Sequence, residues 1–135
     1  MPSIRWTHLA EPEPDHSYVV LASRLPLRGY RYIVPFLRAT RAIRRQLAAT
    51  KGVIGYTLDA KPLSRTFWTL SAWESEEMLQ RFSQVDPHRS TIDEIRPRMR
   101  ATTFVSWIVP GSELPPTWAE ARRRVVASDS GKGKE

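Results

Sequence analysis

Two runs of β-forming residues stand close together in the middle of the chain, Val53–Ala60 (VIGYTLDA) and Arg65–Trp73 (RTFWTLSAW), joined by Lys61–Ser64 around Pro62. A link that short cannot carry the crossover a parallel pair needs, so the two runs form an antiparallel hairpin. The rest of the chain has to be arranged about that hairpin. Upstream, Ser17–Arg24 (SYVVLASR) reads as a strand, with no room for a helix before Pro26. Leu25–Pro35 holds two prolines and a glycine and reads as a connection longer than most. Phe36, Thr40, Ile43 and Leu47 then recur at helical spacing, with Arg38, Arg41 and Arg45 on the other side and Pro35 in the first turn, so a helix runs to near Gly52. Downstream, Ser75 is placed to cap a helix that begins with Glu76 and Glu77 and carries Met78, Leu79 and Phe82. Asp86-Pro87 breaks it, with Asp86 capping a second piece that runs to about Met99 unless Pro97 ends it sooner. Ala101–Val109 (ATTFVSWIV) is the last strand.

The order β, α, β, β, broken α, β specifies an α+β protein, a ferredoxin-like βαββαβ unit with one antiparallel sheet and helices on one face. Residues 1–16 form an extended arm ahead of it that Trp6 could pin, and residues 17–110 are the domain. Residues 111–126 form an extension with a short helix at Thr117–Val126, and residues 127–135 form a tail too poor in apolar groups to order. Trp68, Trp73, Trp107, Phe104 and Tyr56 all fall in strands. The sheet face away from the helices would hold several of them and calls for a cover, which a partner subunit would supply.

Composition excludes more than it selects. At 41% hydrophobic and 26% charged residues the chain is of ordinary globular make-up. It has no stretch able to span a membrane and no leader-like apolar segment, which gives a cytoplasmic expectation. The absence of cysteine removes thiol nucleophiles, disulfides and thiolate metal sites. His8 and His16 lie in the arm, so no metal cage is expected. The net charge of +7 resides in one block: His16–Leu58 contains eight bases and no acid. Such a block suits an anionic partner, whether ligand, membrane surface or nucleic acid. Nucleic acid is disfavoured because no strand carries the aromatic RNA-binding motif.

Phe67–Phe82 (FWTLSAWESEEMLQRF), followed by Pro87-His88, resembles the antibiotic biosynthesis monooxygenase family, whose signature is a strand closing on Trp-Glu-Ser, an acidic first helical turn and a nearby His. The resemblance spans roughly Tyr18–Val109. It implies a homodimeric α+β barrel, in which two ferredoxin-like units pair sheet faces, and oxygenation of an aromatic substrate without metal or flavin. The long loop and basic block are also similar to a distant spheroidene monooxygenase branch, which acts on carotenoids and is linked to haem. The haem-degrading branch uses an Asn, Trp and His set that this chain, having no Asn, lacks.

Within that frame His88 is the candidate general base or axial haem ligand, and Arg24, at the end of the first strand, the candidate stabiliser of an anion. Trp68, Trp73, Tyr56, Tyr30 and Phe82 are candidate ligand-binding residues. Trp68 and Trp73 stand five apart in one strand, so they face opposite sides of the sheet and one alone can meet a ligand. The function expected is a monooxygenase that takes a hydrophobic aromatic or polyene ligand, with an anionic group accommodated. The alternative is a non-catalytic ligand-binding or haem-binding barrel, so whether the chain is an enzyme stays open.

Overall fold

The computed structural model describes residues 6–61, 65–86 and 88–133. The turn around Pro62, the start of the arm, Pro87 and the last two residues therefore lie outside the described residues. Five strands form one antiparallel sheet: β1 (Thr7–His8), β2 (Ser17–Pro26), β3 (Val53–Lys61), β4 (Thr66–Trp73) and β5 (Thr103–Pro110), in the spatial order β1-β3-β4-β2-β5. Leaving aside β1, this is the ferredoxin-like arrangement, with the hairpin β3-β4 where the spacing places it and the first and last strands side by side.

The arm joins the sheet. Thr7 pairs with Tyr56 and His8 with Gly55, while the Trp6 indole lies so close over Gly55 that a Cβ there would collide with it. Strand β2 runs to Pro26, past its expected end. Pro26 is tolerated because its N and C=O sides point toward β5, whose ladder has already stopped at the Arg24–Thr103 pair; Arg100 N–H closes the gap onto the Pro26 carbonyl at 2.8 Å.

Three helices lie on one face: α1 (Ile33–Ala49), α2 (Glu76–Gln84) and α3 (His88–Ile95). Ser75 caps α2, its hydroxyl accepting the Met78 N–H at 3.2 Å. Asp86 accepts from both the hydroxyl and the N–H of Ser90 at the start of α3, and those bonds hold its carboxyl below the usual range. The prolyl ring at 97 ends α3 as a regular helix, and a 3₁₀ turn follows at Arg96–Arg98.

The opposite face carries a correction. The sequence pattern assigns its cover to a partner subunit, but the chain covers it with its own C-terminal helix, α4 (Trp118–Gly133). That helix is longer than the Thr117–Val126 stretch and takes in most of the segment expected to lack order. Ala121 and Val125 are fully buried against Tyr18, Val20, Ala22, Leu70, Ala72 and Trp107. Arg122 pairs with Asp59, which is 2% exposed, and its guanidinium lies between the rings of Trp68 and Trp118. Arg124 lies over Trp107 at 4.7 Å. The pattern escapes periodicity because α4 docks through two small apolar residues and arginine stems, and the stems look polar in sequence. No helix among the described residues is long and apolar enough to cross a membrane.

Candidate functional site

Because side chains alternate along a strand, β2 and β4 send Leu21, Ser23, Leu25, Thr69, Ser71 and Trp73 to the side of α1–α3. The helices do not settle flat on this face. Between them and the sheet lies a cavity of about 820 Å³. Its floor carries the hydroxyls of Ser23, Thr69 and Ser71; Ser23 and Thr69 hydrogen-bond to each other, and Ser71 accepts the Trp73 indole N–H at 2.8 Å. Its roof is Ile43 and Leu47 of α1, Leu79 and Phe82 of α2, and Ile92 and Ile95 of α3. Exposed Arg28, Arg44, Arg96 and Arg100 stand on its rim, and among the described residues no carboxylate lines it. An apolar chamber with a cationic rim suits an apolar molecule that carries an anionic group.

His88, Phe82, Trp73 and Tyr56 are brought together here. The Phe82 ring lies 5.1 Å from that of Trp73 and 5.0 Å from that of His88, so the three form a row along one wall. The Tyr56 hydroxyl, at another point on the lining, accepts from Arg44 Nε at 3.3 Å. His88 Nδ1 is 3.1 Å from the Ser83 carbonyl. A carbonyl can only accept, so Nδ1 carries the hydrogen and Nε2 keeps the lone pair. Burial pushes the His88 pKa below its ordinary 6.5, against the smaller opposing pull of that carbonyl. The imidazole is therefore neutral at pH 7, with the Nε2 lone pair unprotonated.

Arg24, Trp68 and Tyr30 are not part of this group. Arg24 and Trp68 face each other in register on the α4 side of the sheet, and Arg24 Nη2 reaches Thr103 Oγ1 at 3.4 Å. The expected pairing of His88 with Arg24 is thus corrected: the sheet stands between them. Both faces of β2 are apolar in sequence, so alternation could not tell which was the cavity side. Tyr30 is exposed in a 3₁₀ turn under the Arg65 guanidinium. Of the two tryptophans of β4, Trp73 is the one on the cavity face.

Sequence reasoning missed Gln46. From α1 its Oε1 accepts the His88 backbone N–H at 2.9 Å, and its Nε2 donates to the carbonyls of Phe82 at 3.5 Å and Val85 at 3.4 Å. One amide thereby satisfies groups orphaned where α2 stops and α3 starts, and it fixes the backbone of the histidine. The available signal was a lone amide in an arginine-rich helix, which does not reveal its partner 42 positions away. Among the described residues no group of His, Asp and Glu could hold a metal ion.

No family model matches the sequence, and no curated protein matches it. Solved structures share its fold at low identity. A monooxygenase-named protein from Lactobacillus acidophilus matches with a TM-score of 0.65 and 8% identity over 78% of this chain, which spans 49% of that protein's length. SnoaB of Streptomyces nogalater, a cofactor-independent oxygenase solved as a point mutant, matches at 0.55 and 13% identity, over 74% of this chain and 98% of that one. A dimeric ferredoxin-like protein from Thermobifida fusca matches at 0.58 and 12%, over 70% and 92%. Several others on the fold carry the name antibiotic biosynthesis monooxygenase. This chain has the fold shared by those monooxygenase-named proteins.

Proposed function

We propose that the protein is a monooxygenase-like oxidoreductase that takes a hydrophobic aromatic or polyene molecule, with an anionic or acidic group, into the cavity under α1–α3 and oxidises it without metal or flavin. The observation that carries this is His88, neutral and held by Ser83, on the wall of an apolar chamber that has arginines on its rim. His88 Nε2 removes the proton of a bound phenol or activated CH₂. The resulting anion delivers electrons to dioxygen; one oxygen atom ends in the product as a carbonyl, and the other leaves as water with the two hydrogens the substrate loses. The rim arginines, in place of Arg24, stabilise the anion. SnoaB, an oxygenase by name, offers support from the same fold.

The test is oxygen consumption with an electron-rich phenol and no added metal or flavin. His88→Ala is expected to lower turnover by ~10² to 10⁴-fold with ligand affinity little changed, as for loss of a general base. Turnover equal to wild type would overturn catalysis by His88, and no oxygen consumption by the wild type itself would favour a non-catalytic binding barrel. The rim arginines would suit the carboxylates of haem in that case, and a Soret band on adding haem would identify it.

A further inference from the structure

The outer face of α1 has a composition unusual for a helix facing solvent. Its exposed residues are Val34, Leu37, four arginines and two alanines, with no carboxylate, amide or hydroxyl among them. A solvated helix ordinarily intersperses Glu with its bases and gains from i,i+4 pairs. Here Val34, Leu37, Arg38, Arg41 and Arg45 share one stripe, with Val34 63% and Leu37 41% exposed. The helix packed against α1 is α3, whose Asp93 and Glu94 are exposed. Among the described residues neither acid forms an ion pair with Arg38, Arg41 or Arg45. A second feature coincides with the stripe. Arg41, Arg44, Arg45, Ala48 and Tyr56 enclose an open hollow of about 400 Å³, large enough for a phosphate group.

We propose that this face docks on an anionic lipid bilayer, with the arginines on headgroup phosphates and Val34 and Leu37 entering the interface. Cationic charge alone would suit nucleic acid equally. Exposed aliphatics in the same stripe favour lipid, since interfacial helices bind through apolar burial and charge together. The face also exposes no aromatic ring of α1 on which a base could stack. Arg44 and Tyr56 belong to the hollow and to the cavity lining alike, so the docked face adjoins the chamber.

Sedimentation of the full chain with vesicles tests this. Binding is expected to phosphatidylcholine vesicles containing phosphatidylglycerol, to be absent with phosphatidylcholine alone, and to fall as salt rises. Arg38→Glu/Arg41→Glu/Arg45→Glu should weaken it on the order of 100-fold, given the contribution of each base near such a surface. Val34→Ser/Leu37→Ser, which leaves the charge unchanged, should weaken it about 10-fold. Far-UV circular dichroism checks that each variant folds, and the single changes Arg41→Gln and Leu37→Ser replace any that does not. Equal binding to both vesicle types would overturn the proposal. So would a serine pair that binds like wild type while an oligonucleotide displaces the vesicles, which would assign the face to nucleic acid.

Discussion

Among single residues, His88 and Gln46 carry the sharpest expectations. Burial lowers the folded-state pKa of His88 while the unfolded value stays near 6.5, so above that pH the residue is neutral in both states and costs nothing. As pH falls from 6.5 toward the lowered value, the unfolded chain takes up a proton that the folded chain resists, and stability declines. His88→Gln should flatten that part of a stability-against-pH curve, measured by urea unfolding, and nuclear magnetic resonance titration of the wild type should place the imidazole below 6.5. Gln46→Ala removes three hydrogen bonds at the α2–α3 joint. At least one of the groups it leaves is part-buried, so a loss of about 1–3 kcal/mol is expected, with the His88 titration moved as well. An unmoved titration would mean that the joint does not set the ring. His88 itself was legible in sequence, since it is the one histidine outside the arm. Its carbonyl and amide partners were not, because they depend on how two helices meet.

At the scale of elements, the order of strands and helices followed from punctuation: Pro26, Gly52, Ser75 and Pro97 each stand within two residues of a boundary. What the pattern could not reveal was which sheet face would take which cover. Tyr18, Val20 and Ala22 look as apolar as Val19, Leu21 and Leu25, and α4 disguises its docking side with Arg122 and Arg124. The Asp59–Arg122 pair makes that docking specific. Arg122→Met keeps the stem over Trp68 and Trp118 but takes the Arg122 cation away from the buried Asp59. Removing one partner of a fully buried pair costs about 3–5 kcal/mol, and the partial exposure of Arg122 brings the expectation here to about 2. Thermal unfolding of Asp59→Asn/Arg122→Met should recover part of that loss; no recovery would mean that the pair is incidental.

For the whole molecule, the closing of the sheet by α4 changes where a second copy can bind. The homodimer expected from the sequence would have to form elsewhere, because the face beneath α4 is already filled. An exposed apolar edge is left at β5, whose Ile108 is 70% exposed and whose Phe104 projects on the same side. Exposed apolar edges invite pairing with another chain. Light scattering should give about twice 15.5 kDa for the wild type, and Ile108→Glu should reduce it to the monomer without loss of fold. A wild-type monomer at micromolar concentration would refute the dimer.

The two walls of the cavity have different histories open to them. The floor hydroxyls of Ser23, Thr69 and Ser71 are locked in strand register, where a change of position would flip a whole strand. The roof residues Ile43, Leu79 and Ile92 sit on helices that already stand off the sheet, and each can grow or shrink without disturbing a ladder. Drift in such a lineage would accumulate overhead while the floor stayed fixed. Descendants could then inherit one chamber and diverge freely in the molecule they admit.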